Sequence, residues 1–170
     1  MFTVRKTTKE DLPVVLEMYR TAREFMKANG NPSQWGDGRP SDAAIIKDIE
    51  TGTSYSVVSV DSEGRETIEA EFSLWTGEDP DPNYARIDGA WLAPGPYGVI
   101  HKVATGGRRN GAAKFAMEWC ETQIDNLRID THADNIPMQK LIEKMGYTYC
   151  GIVTVDDGTL RYAYQKLLRK

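Results

Sequence analysis

Val103-Ala104-Thr105-Gly106-Gly107-Arg108-Arg109-Asn110-Gly111-Ala112-Ala113 is the stretch that decides how this chain folds. The residues before it, Val99–Thr105, read as a strand, and Gly106-Gly107 breaks that strand. Asn110–Ile124 then carries Ala112, Phe115, Ala116, Trp119 and Cys120 along one apolar helical face. Leu127–Thr131 is strand-like again, so Val99–Thr131 forms a strand–helix–strand crossover between parallel neighbours. A strand that passes through glycines into a helix places unpaired first-turn amides at its own end. With the positive end of the helix dipole and two arginines, such a turn suits a pyrophosphate. It is neither a P-loop nor the dinucleotide G-x-G-x-x-G pattern. Taken alone, it reads equally well as a glycine turn with solvated arginines.

Working outward, Phe2 and Val4 alternate in an opening strand, and Thr8 stands at capping-box distance from Asp11. Leu12, Val15, Tyr19, Ala22 and Met26 follow at helical spacing until Gly30-Asn31-Pro32 ends the helix. The loop Pro32–Pro40 holds Gln34 and Trp35 among breakers, and Ser41 caps a short helix with Ala44, Ile45 and Ile49 inside. Tyr55–Val60 and Thr67–Trp75 are period-two strands, whereas Gly77–Asn83 has loop composition. A helix over Asn135–Lys144, a strand over Tyr147–Val155, the turn Asp157-Gly158 and a strand over Leu160–Leu167 complete the chain. This order predicts a mixed α/β or α+β sheet with helices on its faces.

Composition narrows the function. At 170 residues the chain suits a single domain spanning 1–170 with a core that needs no disulfide or metal. Cys120 and Cys150 lie in apolar patterns and read as buried, reduced thiols of a cytoplasmic protein. With the two histidines they offer no ligand spacing, so no metal is expected. No apolar run reaches the ~20 residues of a membrane span, and a sequence pI near 5.3 argues against a nucleic-acid coat.

Two further motifs give the turn its context. Arg108-x-x-Gly111-x-Ala113 resembles the R/Q-x-x-G-x-G/A pyrophosphate loop of the GNAT family of N-acetyltransferases. Downstream, Asn135-x-x-Met138-x-x-Leu141 resembles that family's N-x-x-(A/M)-x-x-L, and Lys144-Met145-Gly146-Tyr147 its K-x-G-F/Y. The resemblance follows the element order over essentially the whole chain. It implies a largely antiparallel mixed sheet with a central parallel strand–helix–strand unit, acetyl-CoA as cosubstrate, and an amine of a small molecule or peptide as acceptor. The protein would then be a monomer or homodimer. Carried onto this chain, Val103, Ala104 and Thr105 would pair with the pantetheine arm. Backbone amides of Arg108, Arg109, Asn110, Gly111, Ala112, Ala113 and Lys114 would hold the pyrophosphate, and Asn135 would contact the arm or cap its own helix. Two positions depart from the family: Gly106-Gly107 replaces a longer proline-containing loop, and Ile142 stands where many members carry a tyrosine acid.

Direct acetyl transfer needs a base for the amine but no cysteine nucleophile. His101, two residues before Val103 and on its side-chain face by alternation, is one candidate, a residue type that exchanges protons near neutrality. Glu71 is the other, with Glu69 and Ser73 on its face and neighbouring carboxylates to raise its pKa. Each reads equally as an ordinary strand residue. Asp130 and His132 alternate onto one face as strand-end polar groups, and Glu78, Asp79 and Asp81 read as a solvated loop. Gln34 and Trp35 are the acceptor-binding candidates, the tryptophan serving otherwise as a lid over the core. An acyl-CoA sensor or scaffold without turnover is the alternative function.

Overall fold

Local signals start the first two helices where the sequence places them. The Thr8 amide donates to Asp11 Oδ2 at 2.8 Å, closing a 3-10 turn that leads into α1 (Leu12–Ala28). Ser41 Oγ accepts from the Ala44 amide at 3.1 Å and opens α2 (Asp42–Thr51). The remaining elements are β1 (Phe2–Lys6), β2 (Ser54–Val60), β3 (Glu66–Gly77), β4 (Ile87–Gly89), β5 (Tyr97–Thr105), α3 (Ala112–Glu121), β6 (Asn126–Thr131), α4 (Ile136–Lys144), β7 (Thr148–Thr154) and β8 (Leu160–Leu167). The computed structural model describes residues 1–168, so the last two residues of the expected 1–170 domain lie outside the described residues.

All eight strands join one sheet in the order β1-β2-β3-β5-β6-β8-β7-β4. Every neighbouring pair is antiparallel except β5–β6. This is the mixed, mostly antiparallel architecture that the sequence implied, with the parallel pair at its centre. Edge strand β4 was not foreseen, because three residues in a glycine-rich, acidic stretch carry no alternation. Its pairing with β7 depends on two facing glycines. A Cβ at Gly89 would lie 2.2 Å from the Cys150 carbonyl oxygen, and one at Gly151 would lie 2.2 Å from that of Asp88.

The apolar stripes pack on opposite faces. Ala116, Met117 and Cys120 of α3 and Ile142 of α4 bury against Phe72, Leu74, Ile100, Leu127 and Ile129 of the sheet. Val15, Met18 and Tyr19 of α1 and Ile45 of α2 bury with Ala104 on the other face. Cys120 and Cys150 are free and buried, and burial pushes both thiols up, which removes them as nucleophiles. No helix among the described residues is long and apolar enough to cross a membrane.

Candidate active site

Strands β5 and β6 hydrogen-bond in register only at Gly98–Leu127 and Val99–Arg128. Beyond that point β5 runs on to Thr105 and β6 to Thr131 without pairing, so the two strands splay and leave a backbone edge of β5 facing the gap. The other edge of β5 stays bonded to β3, but with one extra residue. Glu71 pairs with Ala104 and Ser73 with His101, so two steps on β3 span three on β5. Lys102 sits at this bulge with φ +54, the sole non-glycine at positive φ among the described residues. Three contacts hold it there. Its carbonyl accepts from Tyr19 Oη at 2.7 Å, its Nζ reaches Asp48 Oδ2 at 2.8 Å, and the same Nζ stands 4.5 Å from the Trp75 ring centroid. The bulge cancels the simple alternation expected of this strand, and His101, Lys102 and Val103 all line the cavity in the gap.

Two cavities meet at the splay. One, of about 620 Å³, is lined by Trp35, Trp75, Asp81, His101, Lys102 and Asp130 among others. The other, of about 270 Å³, runs along Val103–Gly107 to Ala113 and is walled by Ala22, Phe25 and Leu141. Met26, Val103, Asn135 and Met138 belong to both, so these four residues form the seam.

The smaller cavity leads to the start of α3. Gly111 is its N-cap at φ +89, a conformation that glycine adopts without strain, and no side chain caps the helix. The first amide to find a helical carbonyl is that of Phe115, on Gly111 at 2.9 Å, which leaves those of Ala112, Ala113 and Lys114 without a helical acceptor. Arg108, Arg109 and Asn110 form the exposed turn before it. Arg109 Nε lies 3.6 Å from buried Glu69, and Lys114 pairs with Glu118 at 3.4 Å. Free amides, a positive helix end and an unpaired strand edge along one channel fit a pyrophosphate carrying an extended amide-containing arm. Ala104 contributes backbone alone, its side chain being buried in the α1–α2 core. Asn135 caps α4 through the Met138 amide at 3.2 Å and donates to Gln34 Oε1 at 2.9 Å.

In the larger cavity, His101 Nε2 is 2.8 Å from Asp81 Oδ2, and its ring stands edge-on to Trp75 with centroids 4.6 Å apart. Asp81 is not the solvated loop residue its composition suggested. It is 4% exposed and also accepts from the Asn83 amide at 3.0 Å. Burial pushes its carboxyl up, but the hydrogen bond and charge of His101 outweigh this and hold it below the usual range. Asp130 accepts from Tyr84 Oη at 2.5 Å and lies 3.8 Å from Arg161 Nε. Ligand atoms of Asp81, His101 and Asp130 fall within 4.8 Å of one another, a grouping that sequence spacing did not show when no metal was expected. Tyr84 and Arg161 already engage Asp130, so this corner is a hydrogen-bonded network with its own internal counter-charge. His132 does not share it. β6 ends at Thr131, and the His132 ring turns back to accept from the Asp134 amide at 3.0 Å.

The other expected residues fall differently. Glu71 is 0% exposed, accepts from Ser54, Ser56 and Thr7, and lines neither cavity. Its carboxyl is pushed up to about 7, foremost by burial and only last by a neighbouring carboxylate, Asp11. It is sealed from the splay. Gln34 is buried, whereas Trp35 packs on Tyr19 with centroids 5.7 Å apart and still lines the larger cavity, so it is both core lid and cavity wall. Ile142 is fully buried in the α3–α4 core, and no acid stands at that position.

No family model and no curated protein matches the chain. Solved structures do. A GNAT-family acetyltransferase of Streptococcus agalactiae is 26% identical over 99% of this chain and 96% of its own, with a TM-score of 0.85. A GNAT-family acetyltransferase of Listeria monocytogenes is similar at 17% identity, 98% and 95% coverage and a TM-score of 0.68. The NatC complex bound to Gag peptide and CoA superposes at 13% identity, 99% coverage of both chains and a TM-score of 0.65. From end to end the chain is similar to the streptococcal GNAT-family acetyltransferase and shares its fold, a sheet whose one parallel pair splays beside a glycine-capped helix.

Proposed function

We propose that the protein is an N-acetyltransferase that moves an acetyl group from acetyl-CoA to a primary amine by direct attack. The observation that carries this reading is the meeting of two cavities at Val103, one leading to free helical amides and the other to a histidine–aspartate pair. Val103–Thr105 would hold the pantetheine arm by their free backbone edge. The amides around Arg108–Lys114 would hold the phosphates, and Asn135 would close the channel at the seam. Acetyl-CoA, when bound, supplies an acetyl group on a thiol whose conjugate acid has an ordinary pKa of about 8.5. Such a group leaves near neutrality without an acid, which accommodates the buried Ile142.

His101 is the base in this reading. With Nε2–H donated to Asp81, the other ring nitrogen, Nδ1, keeps its lone pair and takes the proton that the amine gives up as its nitrogen bonds to the acetyl carbon. Asp81 fixes that tautomer and offsets the charge the ring acquires. A backbone amide at the Val103 strand end would polarise the acetyl carbonyl. Glu71 has no place in this step.

Thiol release from acetyl-CoA across a panel of amines tests the proposal, with CoA affinity measured in parallel. Amine-dependent thiol release supports it. CoA binding without turnover on any amine would instead support an acyl-CoA sensor or scaffold, the reading that the absent acid at Ile142 favours.

A further inference from the structure

Resting on that reading of the site, we infer that the acceptor is a small amine bearing a second cationic group, which enters the larger cavity whole, and not the end of a polypeptide. Two observations carry this, one steric and one electrostatic.

The steric one is a strap. The loop after α1 and the β7–β8 hairpin both line the larger cavity, through Gln34, Trp35 and Arg39 on one side and Val155 and Asp156 on the other. The Gln34 carbonyl accepts from Arg39 Nη2 at 3.2 Å and from Arg161 Nη2, on β8, at 3.1 Å. Arg39 also pairs with Asp157 in the hairpin turn. The Gln34 side-chain oxygen accepts in turn from Asn31 and Asn135 at 3.0 and 2.9 Å. One residue therefore ties the loop to the hairpin and to the cap of α4. An extended chain passing between two elements needs backbone spacings of about 4.8 Å on each side. The 3.1 Å bond of Arg161 to the Gln34 carbonyl and the Arg39–Asp157 pair both cross from loop to hairpin and close that passage, whereas a cavity of about 620 Å³ suits a small molecule.

The electrostatic one is the charge of the wall. Asp81, Asp130 and Asp156 line the cavity, and Asp48 and Asp157 pair with its Lys102 and Arg39. Five carboxylates thus stand against the three cations Arg39, Lys102 and Arg161. The amine that reacts must be neutral, so this excess serves a charge elsewhere on the acceptor. Asp156 is exposed on the hairpin at the cavity and has no ion pair among the described residues, which makes it the carboxylate available to that second charge.

The test compares 1,4-diaminobutane, n-butylamine and an unblocked tetrapeptide as acceptors, in wild type and in Asp156→Asn. Each compound's binding to the CoA-loaded protein is measured alongside thiol release. The expected result is a kcat/KM for the diamine above that of the monoamine by about fivefold, the most that one solvent-exposed ion pair of ~1 kcal/mol yields. Asp156→Asn should abolish that difference and leave the monoamine unchanged, and the peptide should give no thiol release. A peptide used as well as the diamine, or a diamine no better than the monoamine, overturns the inference while acetyl transfer stands. Should thiol release fail with every acceptor, acetyl transfer falls. The inference then survives only if the diamine binds in preference to monoamine and peptide and loses that preference in Asp156→Asn. Binding of none of them overturns it.

Discussion

His101 and Asp81 stand twenty residues apart in sequence, and nothing in their spacing pairs them. The strand position of His101 was legible; its partner was not, because Asp81 lies among acidic and proline residues that read as solvated loop. Burial beneath Tyr84 and Tyr97 depends on the packing of distant segments. If His101 is the base, His101→Ala lowers kcat by about 100-fold or more with the KM for acetyl-CoA unchanged, a split that steady-state kinetics reads directly. At the other end of the channel, Gly111 is a poor position to probe the phosphate cradle, since any L-residue there is strained at φ +89. Ala113 is the better one, being helical, half-buried and on the channel wall. Ala113→Glu places a carboxylate where phosphate would sit, yet in the first helical turn, where the dipole favours it. CoA affinity should fall by two orders of magnitude or more, roughly the effect of ~3 kcal/mol of repulsion and lost contacts, while the melting temperature holds or rises. Unchanged affinity in calorimetry would remove the cradle assignment.

The decisive element is β5. The sequence shows where it ends but starts it at Val99, two residues after Tyr97, and does not show that it carries an extra residue at Lys102. Lysine has no preference for positive φ, and the bulge arises from what surrounds it: Asp48 from α2, Tyr19 from α1, and the Trp75 ring from β3. Asp48 is itself buried and accepts from Ser73 and Trp75 as well. Removing the ammonium leaves that carboxylate without its charge partner, which costs about 3 kcal/mol for a largely buried pair. Lys102→Ala should therefore lower the melting temperature by roughly 6–12 °C. Lys102→Gly loses the same pair but relieves the left-handed strain, so it should be the more stable of the two by about 1 kcal/mol. Equal stabilities in urea unfolding would mean that the bulge stores no backbone strain.

For the molecule as a whole, Glu71 sets a pH dependence opposite to that of most carboxylates. Burial raises its carboxyl from 4.5 to about 7, against three hydroxyl donors that pull it down. Between those values the unfolded chain has released the proton and the folded chain retains it. Stability is accordingly highest for this group below about pH 4.5 and declines as pH rises towards 7, by about 3 kcal/mol in total. Urea midpoints measured across that interval should fall in wild type and flatten in Glu71→Gln; a rising or flat wild-type profile would show that Glu71 is ionised in the fold.

The sequence alone determined every helix and every strand but β4, the parallel crossover, and the glycine turn that leads into α3, though it began that helix at Asn110, two residues before Ala112. Each of these is written in contiguous residues, as periodicity, capping and turn chemistry within one stretch of chain. Only the tertiary structure decided that β5 and β6 part after two paired residues, that Asp81 meets His101, that Glu71 is sealed away, and that Gln34 ties a loop to a hairpin. Those outcomes depend on contacts between segments tens of residues apart, and the energy of such a contact is defined only once both partners are folded against the same sheet.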